Sequence, residues 1–406
     1  LIVEIFTPFL VYIIAPGFLD DFEKFDLAVE LTRITFPFLF FVSLSSFFAG
    51  ILNSNNKFAA AAAAPIILNI ILISSLLISY SFKFDFATNL SYGVTLSGVF
   101  QLIFLIYFTN KYYKPRLKIN PAISLKVKFF AKKLLPSIFS SGVTQINILI
   151  GTIIASFEAG AVSYLYYADR VYQINLAIAG IAISTVSLPA LTKAIKQKNK
   201  LKIFKIQNKS LELCLLLSIP ASFGLVIASD EVVNALFGYG SFSKENVTAT
   251  GEALKYFGYG IPAFALIKVL SNFFFARDNT KIPFYLSFLI VTINVVISLS
   301  FFKQLGFIII PIATSISTWI GVMLYFVFLQ KYISSLFKLN FIKIFLKIFI
   351  STLLMSVILA IGLDYFSENL EYFNKYKSIY LLFIVSFVAT IYLISCYLLG
   401  ILNIKK

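Results

Sequence analysis

The chain contains no histidine and only two cysteines in 406 residues. The first absence removes His-ligated metal sites, Ser-His-Asp and Cys-His nucleophiles, and the commonest general base. Cys214 and Cys396 each fall inside an apolar run, so they read as small core hydrophobes and not as a disulfide or a thiol site. Catalytic signatures are absent as well: there is no P-loop, G-x-S-x-G, H-E-x-x-H or C-x-x-C pattern. Charge is scarce, at 13% of residues, and acids are scarcer than bases, 18 against 34.

What replaces these groups is hydrocarbon. Hydrophobic residues make up 59% of the chain and the mean hydropathy is +0.91. That excludes an ordinary soluble protein of this size and indicates a polytopic membrane protein. Apolar runs predict spans near 31–52, 60–82, 92–110, 134–156, 161–190, 210–228, 251–275, 282–302, 307–330, 345–363 and 379–402, with the tail of another at 1–15. The periodicity is helical and lacks barrel-type alternation. The chain opens on Leu1 and reads as a fragment or a processed chain.

The net charge of +16 is explained by topology. Most Lys and Arg cluster in 53–58, 111–133, 193–209, 276–281, 331–347 and the tail Lys405–Lys406, while the acids concentrate in the alternate loops. The positive-inside rule makes the basic set and the C-terminus cytoplasmic. Clusters this short, set between spans, do not indicate a nucleic-acid partner. The run KNKLKIFKIQNK at 198–209 reads as an amphipathic segment on the anionic inner leaflet.

An ordered internal repeat is present. APGFLDDFEKF, a helix with Pro37, the turn LNSNNK and a helix with Asn69 are matched by FGYGSFSKEN, a helix with Pro262, the turn ARDNTK and a helix with Asn294. The interval from Pro to Asn is the same in both copies. The first copy starts partway through its leading helix, so two whole helices and part of a third are expected upstream of Leu1. Duplicated helical units are a recurrent transporter plan, with the substrate site between copies. The expected fold is therefore an all-α membrane protein of two pseudo-symmetric bundles around a central cavity, plus two extra C-terminal helices. Residues 1–110 form the remainder of the first bundle, 111–133 a basic cytoplasmic linker, 134–330 the second bundle, and 345–402 the final pair.

Within the spans, YLYYADRVYQ at 164–173 places Asp169 and Arg170 side by side. Arg170 lies about 15 Å from the start of its span, beyond the reach of snorkelling. A charge at that depth costs roughly 2.5–3.5 kcal/mol and points to a functional site ahead of a structural ion pair to another helix. Arg170 is thus the candidate anion-binding residue, its planar fork suited to phosphate oxygens. Asp169 either orients Arg170, pairs with Lys268, or takes part in ion coupling. Gln173 shares the face of Arg170. Lys268, mid-span in IPAFALIKVLSNFF, reaches either the cavity or an interface. Arg33 reads as an interfacial anchor, Pro37 and Pro262 as helix kinks, and Asn53, Asn69 and Asn294 as turn or gate elements of the repeat.

APGF (15–18), LTRITFPF (31–38), AGILNSNNKFA (49–59), APIILN (64–69), QINILI (145–150), SYLYYADRVYQ (163–173), SLPAL (187–191) and LFGYGSF (236–242) occur together and in order. In these stretches the chain resembles the MurJ (MviN) lipid II flippases of the multidrug/oligosaccharidyl-lipid/polysaccharide exporter superfamily. The resemblance implies fourteen helices, two bundles of six around a cationic cavity, and a last pair forming a groove for a polyprenyl tail. It implies transport of an undecaprenyl-diphosphate-linked peptidoglycan precursor across the bacterial cytoplasmic membrane. Arg170 matches the functional arginine of the family's ADR motif, and the family's other cavity arginines lie on its first two helices. No cofactor is implied; a coupling ion or the membrane potential would supply the energy. The implied partners are the lipid-linked precursor and membrane lipids, and the chain is expected to act as a monomer. Two departures stand out. The family's proline after ADR is replaced in VYQINLA, which predicts a straighter helix. Carboxylates that some relatives carry near Gly151 and Ser298 are absent, which weakens cation coupling there. Two other functions share the composition: a flippase for another polyprenyl-linked oligosaccharide of O-antigen type, and a drug/cation antiporter. A membrane glycosyltransferase is disfavoured, because the longest outside loop, 229–250, offers only Asp230, Glu231 and Glu245.

Overall fold

The structure is a computed structural model that describes residues 2–55, 57–113, 125, 127–129, 145–330 and 339–401. Every regular element among them is helical. After a first turn at Ile2–Ile5 come α1 (Thr7–Ile14), α2 (Phe22–Thr35), α3 (Pro37–Ser54), α4 (Phe58–Phe82) and α5 (Phe86–Thr109). Then follow α6 (Gln145–Ala155), α7 (Ala161–Leu176), α8 (Ala182–Lys196), α9 (Lys200–Ile227), α10 (Ser229–Phe237), α11 (Lys244–Phe275), α12 (Lys281–Leu305), α13 (Ile309–Leu329), α14 (Leu339–Tyr365) and α15 (Lys377–Leu398). Nine segments among the described residues are long and apolar enough to cross a membrane. One of these, residues 281–329, is the hairpin of α12 and α13, turned at Gly306 with φ +58°. The linker expected at 111–133 and the first half of the span at 134–156 fall largely outside the described residues.

The chain forms two compact units, Leu1–Leu135 and Pro136–Lys406. In the first, α5 packs on α2, α3 and α4. Small and polar residues allow the close approach that membrane helices need. A Cβ on Gly93 would collide with Ser75 Oγ across the α4–α5 seam. Beside it, the Asn89 amide donates to Ser75 O (2.9 Å) and Ser79 Oγ (2.6 Å). The Asp85 side chain caps α5, accepting from the Thr88 amide at 2.7 Å.

In the second unit α11 is the hub, packed against α7, α8, α9, α10 and α13. One apolar core surrounds Leu270, Phe273, Phe274 and Tyr325; another joins Ile154, Val171, Leu254, Ile261 and Ile309. The last pair, α14 and α15, is packed together, with α14 on α9 and α15 on α10.

The two copies of the repeat are each built as a short helix, a turn, a long proline-bearing helix and a helical hairpin. Their prolines act differently. Pro37 opens α3, and Phe36 keeps helical angles (φ −58°, ψ −39°) and its bond to Thr32 O, so the chain bends without unwinding. Thr32 and Thr35 bond back to Ala28 O (2.6 Å) and Leu31 O (2.9 Å), a pattern that favours such a bend. Pro262 lies buried inside the unbroken α11.

Candidate functional site

The site is built on α7. Gly160, at φ +78°, turns the chain into the helix. In the same turn Glu158 Oε2 accepts from the Phe307 amide at 2.6 Å, capping the turn that leads into α13. One side of α7 is buried through Ala161, Ala168, Val171 and Tyr172. The Tyr172 ring stacks on Phe257 (5.5 Å between centroids) and tilts against Phe264 (5.0 Å), fixing the helix's rotation on α11.

The opposite side carries Ser163, Tyr166, Arg170 and Gln173, all exposed and all within one stripe at helical spacing. Arg170 Nη2 donates to Tyr166 Oη at 3.0 Å, and the guanidinium lies 4.6 Å from the centroid of the same ring. Asp169 is half-buried and accepts from the Gln173 amide. It does not pair with Lys268: the only ion pair among the described residues is Lys209–Glu212 at 3.8 Å. Arg170 therefore makes no ion pair among the described residues; the neighbouring Asp169 carboxylate, turned to Gln173, acts on it only through space.

Lys268 is exposed on α11, and its backbone carbonyl accepts from Ser184 Oγ at 3.2 Å. One turn on, the Asn272 amide donates to Ser184 O (2.6 Å), Ser184 Oγ (2.7 Å) and Ser187 Oγ (3.2 Å), tying α8 to α11. Between α7 and α8 the chain makes a π-helical turn over Ala177–Ile181, within one continuous helical span. Gly180 in this turn packs closely on α11: an added Cβ would lie 3.1 Å from the Ala265 Cα. Extra-wide turns of this kind concentrate at functional sites.

The remaining candidates are dispersed. Arg33 is exposed in the last turn of α2, where a cation complements the helix dipole. Asn53 is exposed near the end of α3, and Asn69 is exposed on α4. Its repeat counterpart Asn294 is buried, donating to Asn147 Oδ1 (2.8 Å) and Thr314 Oγ1 (3.2 Å) and accepting from Ser298 Oγ (3.1 Å). Ser298 thus belongs to a neutral knot of amides and hydroxyls, while a Cβ on Gly151 would meet only Ile310.

Two features escaped the sequence. The first is Tyr166, whose signal was its place one turn before Arg170. The second is Lys377, which looks like an ordinary loop base but is only 1% exposed. Its ammonium donates to Asn234 Oδ1 (2.8 Å), Gly238 O (2.5 Å) and Tyr372 O (2.7 Å), between the rings of Tyr239 (4.3 Å) and Tyr372 (4.7 Å). Nearby, Ser378 Oγ donates to Ala235 O (2.7 Å) and the Asn234 amide to Leu370 O (2.8 Å). These bonds fasten the last helix pair to α10 and its glycine turn. Next to them runs an apolar cleft of about 350 Å³ between α9, α14 and α15, lined by Pro220, Gly224, Met355, Leu359, Val388 and Tyr392, with Asn175 of α7 at its edge.

With this geometry in view, the whole chain matches one family. The model of the family described as "Lipid II flippase MurJ" covers residues 1–403. The chain belongs to the lipid II flippase MurJ family. Curated members include a probable lipid II flippase MurJ of Rickettsia prowazekii, 37% identical over 99% of this chain and 79% of the relative. That of Rhizobium tropici is 38% identical over 82% of this chain, and that of Rhizobium meliloti 39% over 80%. The matched region spans 63% and 61% of those two relatives. Among solved structures, a lipid II flippase MurJ in an inward closed conformation is similar with TM-score 0.79 and 25% identity, over 98% of this chain and 79% of the other. An inward-facing multidrug resistance MATE family transporter of the MOP superfamily shares the fold, with TM-score 0.67 and 16% identity over 82% of this chain and 79% of the other. The family match and the nine apolar spans together make this chain a multi-pass membrane protein.

Proposed function

We propose that this chain is a lipid II flippase, moving the undecaprenyl-diphosphate-linked peptidoglycan precursor from the cytoplasmic to the outer leaflet of the bacterial inner membrane by alternating access. The observation that carries the reading is Arg170: a guanidinium well inside a span, exposed, and in no ion pair among the described residues. A diphosphate supplies the missing charge. Ser163 and Gln173, exposed on the same face of α7 as Arg170, offer polar partners to the rest of the head group. The cleft between α9, α14 and α15 suits the prenyl tail. Drawing that tail through water would cost roughly 0.8 kcal/mol per CH₂, so only the head group crosses. In this reading the chain works as a monomer with its C-terminus in the cytoplasm.

A drug/cation antiporter requires carboxylates free to meet a cation. On α7 the single carboxylate, Asp169, is already engaged by Gln173, so the geometry favours an anionic substrate. A flippase for another polyprenyl-linked oligosaccharide would share the diphosphate contact and differ in the sugar. The test is complementation: the full-length gene, wild type or Arg170→Ala, is expressed in cells depleted of their own flippase. Wild type is expected to restore growth and Arg170→Ala to fail at equal membrane abundance. Rescue by Arg170→Ala would remove the diphosphate contact from the mechanism.

A further inference from the structure

Tyr166 has two attachments and one free group. Its ring lies under the Arg170 guanidinium, and its oxygen accepts from Arg170 Nη2 at 3.0 Å. A phenol carries one O–H donor besides its lone pairs, so accepting from arginine leaves that proton unused. Among the described residues nothing accepts it, and the side chain is 55% exposed. The ring is supported edge-on by Tyr167, 6.1 Å away. Tyr167 in turn packs against Phe237 (4.8 Å) and Phe242 (5.2 Å), the two phenylalanines flanking the glycine turn. Support of this kind holds a binding group in one orientation before ligand arrives.

We propose that Tyr166 is a second anion-binding residue: its hydroxyl donates to a phosphate oxygen of the substrate while accepting from Arg170. The inference rests on the diphosphate reading above and deepens it. The arginine fork and the phenol hydroxyl together present adjacent donors, charged and neutral, on one helix face. Two linked phosphoryl groups engage both; a single phosphoryl group is satisfied by the fork. Tyr166 is thereby assigned as a determinant of preference for a diphosphate over a monophosphate.

The experiment uses the full chain in detergent micelles, with farnesyl diphosphate and farnesyl monophosphate as probes and binding read by native mass spectrometry. Arg170→Ala is expected to lose both probes. Tyr166→Phe keeps the ring but not the hydroxyl. It is expected to weaken the diphosphate roughly tenfold or more while changing the monophosphate less than about twofold, as for loss of one hydrogen bond to a charged group. Its thermal midpoint is expected to match wild type, because the removed oxygen is exposed. If Arg170→Ala binds both probes as wild type does, the diphosphate reading itself fails. If Arg170→Ala loses them but Tyr166→Phe holds the diphosphate within about twofold, or weakens both probes equally, the role assigned to Tyr166 is overturned and that of Arg170 stands.

Discussion

Replacing Lys377 by methionine tests whether the last two helices are fastened to α10 and its glycine turn by one buried ammonium. Methionine preserves length and fills the site, so no large cavity is created. The ammonium's own desolvation cost disappears with it. What remains are three acceptors, Asn234 Oδ1, Gly238 O and Tyr372 O, facing a thioether. An orphaned buried acceptor costs about 1–3 kcal/mol, and Tyr372 O is only partly enclosed, so the low end applies. The expected destabilisation is about 3 kcal/mol, taking each of the three near 1. Unfolding would be followed in micelles by SDS titration for wild type, Lys377→Met, Asn234→Ala and the double variant. The cycle is expected to give a coupling on the order of 1 kcal/mol or more, because the two side chains share one bond. A Lys377→Met protein within about 0.5 kcal/mol of wild type, with no coupling to Asn234, would refute the reasoning, since surface substitutions behave that way.

Glu158→Ala removes the acceptor for the Phe307 amide and is expected to cost about 1 kcal/mol, with faster hydrogen exchange at Phe307. A Cβ on Gly224 would meet nothing within 4 Å, so Gly224→Phe is expected to fold and to project into the cleft. Long-chain prenyl diphosphate probes should then bind about tenfold more weakly, the loss of roughly two CH₂ contacts, while a short-chain probe is unaffected; equal binding of the long probe would take the tail out of the cleft. Backbone bonds from Thr88 and Ala87, with the Thr88 hydroxyl, hold the Asp85 carboxyl below its usual range. A depressed folded-state value makes its contribution complete above the unfolded carboxylate's pKa, about 3.9, and lost as pH falls through the folded one. Exchange at the Thr88 amide should accelerate only in that acidic window.

Hydropathy made the helical fold legible because a span must bury its backbone bonds within itself, leaving a long apolar run as its trace. Arg170 stood out for the same reason: a charge in such a run is costly and singles itself out as a candidate. Residues whose roles depend on distant partners were not. Lys377 and its acceptors at 234 and 238 are brought together only by tertiary packing, and in sequence it reads as one more loop base. Glu158 carries no sign in the sequence of its partner, the Phe307 amide of the α12–α13 turn. Asn69 and Asn294 occupy equivalent places in the repeat, yet one is exposed and the other knotted to Asn147, because burial is decided by neighbouring helices and not by the repeat itself. The pairing of Asp169 with Lys268 was open on charge alone, and Gln173, four residues along the same helix, took the carboxylate instead. The π-turn at 177–181 left no mark that local propensity could read.

The cleft between α9, α14 and α15 has all its walls in one unit. Within its wall Tyr392 Oη donates to Leu216 O at 2.7 Å, tying α15 to α9. Such a slot keeps its width through any rocking of its carrier. A hydrocarbon passenger seated there is carried as luggage on one vehicle, never handed from one to another, so its length places no demand on the stroke that moves the head group.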